Sequence, residues 1–304
     1  MSLLPLPSAI RPLGQTGLAI SPLGWGMWRL VDEGCDAAAT ARLIHAALDA
    51  GITLMDTADI YGFDGKNGFG AAEELLGVVL ASEPALRRRM VLATKGGIRP
   101  PLPYDQSAAY ITEAIDASLR RLRTDSIDLW QVHRPDILTH PSELARALDD
   151  AVAAGKVRAL GVSNFTTHQI AALQHFLKHP LVATQPEISA LQIDGMANGE
   201  MDQAMAMGLV PLAWSPLGGG RLANPQTPRE MAVATALDVV AQAQGVSRAV
   251  AAYAWLLAHP AGIVPIVGSQ REDRIVEATQ AAGVRWTRAE WYAVYTASRG
   301  ERLP

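Results

Sequence analysis

The chain has 304 residues, with 26 basic and 30 acidic side chains and a formal net charge of −4. At 49% hydrophobic and 18% charged residues, its composition excludes a disordered chain and provides for a large core. The near-neutral charge excludes a general binder of nucleic acid or anionic membranes, because both need a concentrated basic face. A single cysteine excludes a disulfide framework and a cysteine-rich zinc site.

The sequence shows no signal for a membrane. No run of about 18 apolar residues occurs, so we predict no membrane-spanning helix. The first ten residues, MSLLPLPSAI, contain two prolines and no basic residue, which is unlike a secretory signal. We therefore expect a cytoplasmic protein. Because no linker or low-complexity segment interrupts the chain, we expect a single domain over residues 1–304.

Short apolar runs alternate with amphipathic stretches along the chain. Each run is four to six residues long, as is typical of a strand buried on both faces, and the first of them, Leu23–Trp28, differs from the other seven in containing two glycines. The predicted strands are Leu23–Trp28, Ile52–Met55, Met90–Thr94, Ile127–Val132, Val157–Val162, Leu181–Thr184, Leu209–Trp214 and Gly262–Val267.

The stretches between these runs have helical spacing. In residues 107–123, apolar side chains at 111, 115, 119 and 122 fall on one helix face. Asp36 is a candidate N-cap and Gly51 a stop signal for the first helix. The predicted helices are Ala37–Ala50, Ala71–Ala81, Ser107–Arg123, His140–Ala154, Thr166–Phe176, Glu200–Met207, a region from Arg229 to Ala258 broken near Gly245, and Arg271–Ala281.

Eight strand–helix units in strict alternation predict a parallel sheet with right-handed crossovers. Eight strands over about 250 residues fit a closed (β/α)8 TIM barrel, whereas about six would fit an open, doubly wound sheet. Two segments lie outside the eight units. Leu13–Ser21 predicts an N-terminal hairpin across the barrel floor, and Thr287–Arg299 predicts an extra C-terminal helix.

Titratable side chains follow three consecutive predicted strands, namely Asp56, Lys95 and His133, and Tyr61 lies five residues after Asp56. In a barrel these strand ends meet at one rim. Taken singly, Asp56 also fits a turn cap, His133 a satisfied core histidine, and an Asp56–Lys95 pair a structural ion pair. Together they favour a proton-transfer site, in which Lys95 lowers the pKa of Tyr61, Asp56 holds Lys95, and His133 orients a carbonyl.

The loops after the last two predicted strands favour an anion. Residues 218–220 are glycines followed by Arg221, and the final loop carries Ser269 and leads into a helix that contains Arg274. Glycine lets backbone N–H groups approach a phosphate, and arginine grips it with two hydrogen bonds. A merely flexible loop is the alternative for residues 218–220.

Polar side chains also follow the fifth and sixth predicted strands. Ser163, Asn164 and Gln185 have the donors and acceptors to bind an amide. N-capping of the next helix explains Ser163 and Asn164 equally well. Trp214 fits either core packing or a stacking platform.

Several short segments, spread over nearly the whole chain, occur in a specific order. They are LGQTG (13–17), GWGMW (24–28), MDTADIYG (55–62), ATKGG (93–97), IDL (127–129), HRP (133–135), GVSNF (161–165), Gln185, WSPL (214–217) and PIVGS (265–269). In this combination the chain resembles the aldo-keto reductase family, and within it the compact bacterial members with short loops. The resemblance implies a (β/α)8 barrel that reduces aldehydes and ketones to alcohols with NADPH, NADH being less favoured.

The resemblance also implies roles for individual residues. Tyr61 would be the general acid, tuned by Lys95 and Asp56, with His133 positioning the carbonyl. The implied cofactor-binding positions are Gly26, Met27, Ser163, Asn164, Gln185, Trp214, Ser215, Leu217, Gly218, Gly220, Arg221, Gly268, Ser269, Arg274 and Glu277.

Within that set, Trp214 would stack on the nicotinamide, Ser269 and Arg274 would hold the 2′-phosphate, and Glu277 would lie near the adenine. Two departures reduce this phosphate site: some relatives have lysine where Gly268 stands and asparagine where Ala278 stands.

The substrate side is less constrained by the resemblance. Trp28 and Arg134 would line the substrate pocket, and the short surrounding loops suit a range of small-molecule carbonyl substrates. We predict no metal ligand set, no nucleic-acid partner and no membrane partner, and we favour a monomer. Two other functions remain open: a Schiff-base enzyme of the aldolase type using Lys95, and a non-catalytic barrel that senses NADPH.

Overall fold

A computed structural model describes residues 2–303. The strands are β1 (Arg11–Pro12), β2 (Ala19–Ile20), β3 (Gly24–Gly26), β4 (Leu54–Asp56), β5 (Val91–Gly96), β6 (Ile127–Val132), β7 (Val157–Ser163), β8 (Leu181–Gln185), β9 (Val210–Ala213) and β10 (Val264–Val267). The helices are α1 (Ala37–Asp49), α2 (Ala71–Ser82), α3 (Ala108–Leu122), α4 (Pro141–Ala153), α5 (Thr167–Phe176), α6 (Glu200–Met207), α7 (Pro228–Gln244), α8 (Arg248–Leu257), α9 (Glu272–Ala278) and α10 (Arg288–Arg299).

Strands β3 to β10 form a closed parallel barrel in chain order, with β10 hydrogen-bonded to β3. A helix follows each of these strands, and two helices, α7 and α8, follow β9. Helix α10 packs against α7 outside the alternating pattern. The predicted (β/α)8 barrel and its extra C-terminal helix are therefore confirmed.

The helix ends follow local sequence signals. Asp36 caps α1, since its Oδ1 accepts from the Ala39 amide at 2.7 Å. The predicted break in the longest helical region is also confirmed: Gly245, at φ 66°, ends α7, and Ser247 caps α8. A left-handed residue here costs little because glycine has no Cβ.

Several predicted boundaries were too wide. Strand β10 begins at Val264 because Gly262 has φ 62°, outside the range of a strand. Strand β9 ends at Ala213, so Trp214 lies in the loop beyond it, and β3 is limited to three residues. Helix α9 ends at Ala278 and continues as a 3₁₀ turn, Thr279–Gly283.

The N-terminal hairpin closes the barrel floor, as predicted. Strands β1 and β2 pair antiparallel, and the Leu13 amide donates to the Leu18 carbonyl at 2.9 Å. Leu13, Leu18 and Ile20 belong to the inner core with the inward residues of the barrel strands. This inner core consists of Leu13, Leu18, Ile20, Leu54, Val91, Ala93, Leu129, Ala159, Val182, Ala183, Val210, Leu212, Val264 and Ile266.

A larger core fills the space between the barrel and its helices and includes Trp25, Trp130 and Trp255, all fully buried. Within residues 2–303, no helix has the length and apolar character needed to cross a membrane. With the floor sealed by the hairpin, the carboxyl ends of the strands form the open rim.

Candidate active site

A polar layer lies directly above the inner core. Along β4, β5, β6 and β8, the residue two positions after an inner-core residue points to the same face, because strand side chains alternate. The register pairs Lys95 with Gln131, and Ser163 with Gln185. The residues placed in this way above Leu54, Ala93, Leu129 and Ala183 are Asp56, Lys95, Gln131 and Gln185.

A buried ion pair forms the centre of this layer. Lys95 Nζ donates to Asp56 Oδ2 at 2.7 Å and to the Thr57 carbonyl at 2.7 Å. Lys95 is fully buried, and Asp56 is 3% exposed. Burial by itself lowers the pKa of Lys95, but the charge of Asp56 and the phenol of Tyr61 raise it above its ordinary value. Lys95 therefore carries a fixed positive charge at neutral pH.

Two amides hold the other oxygen of the carboxylate. Asp56 Oδ1 accepts from Gln185 Nε2 at 2.9 Å and from Gln131 Nε2 at 3.4 Å. Gly161 makes room for Gln131, since a Cβ there would lie 3.0 Å from the Gln131 Cγ. Gln131 was not among the predicted site residues, although its position two residues before His133 places it on the inward face of β6.

Tyr61 lies beside the lysine. The Asp59 amide donates to the Lys95 carbonyl at 3.0 Å, and the turn that follows carries Tyr61, whose ring centroid is 4.9 Å from Lys95 Nζ. Burial raises the pKa of the Tyr61 phenol, and Lys95 and Arg134 oppose that shift. Lys95 therefore acts in the predicted direction, but burial outweighs it and the net shift of the Tyr61 pKa is upward. The phenol stays protonated at neutral pH and can donate a proton.

His133 completes the group. Its ring meets Tyr61 edge to face, with centroids 5.9 Å apart and planes at 80°. Burial, and then the positive charges of Lys95 and Arg134, lower the pKa of His133 well below its usual value. The imidazole is therefore neutral near pH 7. Its Nδ1 atom is buried with no hydrogen-bond partner among residues 2–303.

A second buried carboxyl lies behind the site. Asp59 is 1% exposed, and neither carboxyl oxygen has a hydrogen-bond partner in the described part of the chain. Burial and the charge of Glu73 raise the pKa of Asp59 well above its usual range, so it is neutral. Glu73 pairs instead with Arg121 at 2.7 Å and with Thr94. Of these carboxyl groups, it is therefore Asp56 that pairs with Lys95.

A chain of hydrogen bonds runs from Gln185 to the rim. Ser163 Oγ donates to the Gln185 carbonyl at 2.7 Å, and Asn164 Nδ2 donates to Ser163 Oγ at 2.8 Å. The Trp214 indole donates to Asn164 Oδ1 at 2.9 Å, and the Arg134 guanidinium lies 5.7 Å from the Trp214 ring centroid. Core packing is therefore not the role of Trp214, which is partly exposed at the rim.

The alternative that Ser163 and Asn164 cap the next helix is wrong. Helix α5 begins after Thr166, whose side chain accepts from the Gln169 amide while Gln169 bonds back to Thr166. Asn164 has φ 58° and directs its amide toward Ser163 and Trp214 instead.

The loop after β9 presents accessible backbone. Ser215 has φ 50°, and Gly218, Gly219 and Gly220 all have positive φ. At Gly219 and Gly220 no atom lies within 4 Å of where a Cβ would stand, so another group can approach the backbone. Arg221 is tied down, donating to the Gly218 carbonyl at 2.8 Å.

The loop after β10 lies beside β3. Ser269 accepts through its carbonyl from the Trp25 indole at 2.9 Å, and Gln270 Nε2 donates to the Gly26 carbonyl at 3.0 Å. Arg274 is exposed, and no carboxylate lies within 4 Å of it among residues 2–303. Arg271 is held by Asp273, with N···O distances of 3.1 and 2.6 Å.

A model of the family described as "Aldo/keto reductase family" matches residues 22–297. The chain belongs to this family. Its members are oxidoreductases, and the membership supports carbonyl reduction in general.

Curated relatives agree with this assignment. A 6-dehydroglucose reductase of Novosphingobium aromaticivorans is 70% identical over 304 residues and covers 100% of both chains. A 6-dehydroglucose reductase of Agrobacterium fabrum is 40% identical and covers 94% of this chain and 97% of the relative. The crystal structure of a thermostable aldo-keto reductase with the inhibitor epalrestat has a TM-score of 0.81, covers 95% of this chain and 100% of that chain, and is 24% identical, which shows the shared fold.

The predicted positions of this aldo-keto reductase fall into two groups. Tyr61, Lys95, Asp56 and His133 converge on one site, and Ser163, Asn164, Gln185 and Trp214 border it, as the distances above show. The second group consists of the segments 215–221 and 268–277, which follow β9 and β10 at the same rim.

Two of the predicted cofactor-binding positions, Gly26 and Met27, are buried, so their side-chain positions cannot contact a bound molecule directly. Met27 is fully buried, and its amide donates to the Asp56 carbonyl at 2.9 Å, so only its backbone borders the site. Gly26 is buried beneath Ile266, whose Cγ2 would lie 2.8 Å from a Cβ at this position. Trp28, in contrast, is 52% exposed. Within residues 2–303, no group of three or more His, Cys, Asp or Glu side chains is arranged to hold a metal ion.

Proposed function

We propose that this reductase uses NADPH to reduce an aldehyde to an alcohol, with Tyr61 as the general acid and 6-dehydroglucose as the substrate. The observation that carries the proposal is the buried pair of Lys95 and Asp56 under the protonated phenol of Tyr61. A structural ion pair has no need of a tyrosine and a neutral histidine at an open rim. A proton-transfer site needs all four groups.

The residues at the rim fit a nicotinamide dinucleotide. Gly219 and Gly220 expose backbone where a pyrophosphate needs close approach. Arg274, on α9, has a free guanidinium for a 2′-phosphate, and Ser269 lies in the loop that leads into this helix. We assign the partly exposed ring of Trp214 to stacking against the nicotinamide, and Ser163, Asn164 and Gln185 to its carboxamide.

The remaining implied positions complete the cofactor side of the proposal. Ser215, Leu217 and Gly218 would hold the pyrophosphate, and Glu277 would lie near the adenine. Gly26, Met27, Arg221 and Gly268 would border the nucleotide through their backbone, since the side chains of Met27 and Arg221 are buried or occupied.

Bound NADPH supplies the hydride. The neutral His133 donates a hydrogen bond to the carbonyl oxygen and so orients the substrate. Tyr61 then gives its proton to that oxygen as negative charge develops there. Lys95 stabilises the resulting phenolate, and Asp56, held by Gln131 and Gln185, keeps Lys95 charged.

The substrate assignment rests on the two 6-dehydroglucose reductases among the relatives, of which one is 70% identical over the full length. This substrate is a hexose with an aldehyde at C6. Arg134, with no acidic partner within 4 Å among the described residues, suits an oxygen-rich molecule, and Trp28 offers an apolar face at the rim. We also propose that residues 1–304 act as one cytoplasmic domain, as a monomer and without nucleic-acid or membrane partners.

The direct test is turnover. We expect the purified protein to form glucose from 6-dehydroglucose. The amount of NADPH oxidised, followed by its absorbance at 340 nm, should be proportional to the amount of 6-dehydroglucose added. Glucose itself, added at the same concentration with NADPH, is the matched control and should give no rate. NADPH binding without turnover of this or any other aldehyde would instead support the non-catalytic, NADPH-sensing barrel.

The nucleotide assignment has its own test. In Arg274→Gln we expect the Kd of NADPH, measured by quenching of tryptophan fluorescence, to rise about tenfold, since one charge-assisted contact to the phosphate is lost. The Kd of NADH should stay within twofold. Arg88→Gln is the matched control, because Arg88 is exposed in the turn just before β5, at the end of the barrel opposite the rim. An equal rise for both nucleotides would place Arg274 away from the 2′-phosphate.

A further inference from the structure

We propose that Asp273 limits how strongly this reductase discriminates NADPH from NADH, by occupying Arg271 and adding a negative charge at the phosphate end of the rim. The inference rests on the proposed nucleotide site. It assigns to Asp273 a specificity-determining role.

The geometry of the loop supports this role. Asp273 Oδ1 lies 3.1 Å from Arg271 Nε, and its Oδ2 lies 2.6 Å from Arg271 Nη2, so the carboxylate faces the guanidinium with both oxygens. Planar guanidinium groups use the same pair of N–H donors to grip a phosphate. A 2′-phosphate would therefore compete with Asp273 for Arg271.

The carboxylate also acts on Arg274. A hydrogen bond from Arg271 is the main cause that lowers the pKa of Asp273, and the charge of Arg274 adds to it. Asp273 also directly precedes Arg274 in the first turn of α9, so its negative charge lies a short distance from a phosphate that Arg274 binds. A phosphate bound by Arg274 would experience the repulsion of this carboxylate.

No additional positive charge in residues 268–274 compensates for the negative charge of Asp273. Residues 271–274 read Arg-Glu-Asp-Arg, which sums to zero charge. Arg42, on the neighbouring helix α1, is matched by Glu272 at 3.5 Å. Gly268 contributes no side chain, and no atom lies within 4 Å of where its Cβ would stand. This end of the rim therefore has little net positive charge with which to prefer the doubly charged 2′-phosphate of NADPH.

Asp273→Asn tests the proposal with little risk to the fold, since the Asp273 side chain is 65% exposed and the ion pair lies on the surface. Removing one negative charge near a phosphate in a solvated site strengthens binding about fivefold. We therefore expect the Kd of NADPH to fall about fivefold and the Kd of NADH to stay within twofold. The gain should shrink when NaCl is raised from about 50 to 500 mM, because salt screens exposed charges.

Glu272→Gln is the matched control. It removes the same charge from the neighbouring residue, but Glu272 faces Arg42 rather than Arg271. We expect it to change the Kd of NADPH by less than twofold. As a second probe, competition by 2′-AMP should improve in Asp273→Asn by the same factor as NADPH, and competition by 5′-AMP should not.

The outcomes separate the two levels of the account. If the wild-type protein binds NADPH and Asp273→Asn leaves its Kd within twofold, or tightens NADH equally, the role of Asp273 is overturned and the proposed function stands. If the wild-type protein binds neither nucleotide, the nucleotide site and the role of Asp273 are overturned together.

Discussion

Replacing Tyr61 with phenylalanine should lower kcat for 6-dehydroglucose reduction about 1000-fold and leave the Kd of NADPH within twofold. The variant keeps the ring that packs against His133 and loses only the hydroxyl that gives the proton. General acid catalysis by a positioned group is worth about 10²–10⁴ in rate. Loss of turnover, with unchanged quenching of tryptophan fluorescence by NADPH, would show that the variant is impaired in the chemical step and not in cofactor binding.

Tyr110→Phe is a matched control for the same chemical change. Its hydroxyl donates to the Ile98 carbonyl at 3.0 Å, within the β5–α3 connection, and is not hydrogen-bonded to Lys95, Asp56 or His133. We expect kcat to change by less than threefold there. A Tyr61→Phe variant with more than a tenth of wild-type turnover would remove Tyr61 from the role of acid.

Replacing Lys95 with methionine should affect both activity and stability. The buried Asp56 carboxylate would lose its charged partner, and breaking a buried ion pair from one side costs about 3–5 kcal/mol. The phenolate of Tyr61 would lose its stabilising charge as well. We therefore expect urea unfolding to show that loss of stability, together with turnover reduced about 1000-fold.

The double variant Lys95→Met with Asp56→Asn separates the two effects. Since no unpaired charge remains, most of the lost free energy of unfolding should return, while turnover stays low. Recovery of turnover with stability would mean that Lys95 is only structural. A single variant as stable as the wild type would contradict the burial and pairing described here.

Sequence alone predicted the barrel because its signals are local and repeated. Apolar runs such as 209–214 mark strands buried on both faces, and Gly245 marks a helix break through its own backbone preference, whatever the helix packs against. The predicted strand ends were less accurate. Gly262 falls outside β10 because of its positive φ, and Trp214 follows β9 and bonds to Asn164 in another loop. Neither feature can be read from the polarity of the residue.

The site was predictable in its membership and less so in its energetics. The topology alone places Asp56, Lys95 and His133 at one rim, because they follow three consecutive strands of the barrel. The pKa of Tyr61 does not, because its direction depends on how far burial outweighs Lys95, which is a three-dimensional quantity. Gln131 was missed for a similar reason: a glutamine in a strand becomes meaningful only when its amide is found on Asp56.

The same geometry argues against a Schiff-base enzyme. An attacking lysine must be neutral, and such lysines have a lowered pKa. Here the pairing with Asp56 raises the pKa of Lys95, and the amine already donates to two oxygens. Lys95 is therefore suited to stabilising a phenolate rather than to forming a bond to a carbonyl carbon.

The most direct test of the central claim is the fate of the hydride. We would reduce 6-dehydroglucose in ordinary water with NADPH deuterated on both hydrogens of the nicotinamide C4, and examine the glucose by NMR. We expect one deuterium at C6 of every product molecule, because the hydrogen passes directly from the cofactor to the carbonyl carbon. Glucose with no deuterium at C6, formed at the same rate, would contradict it.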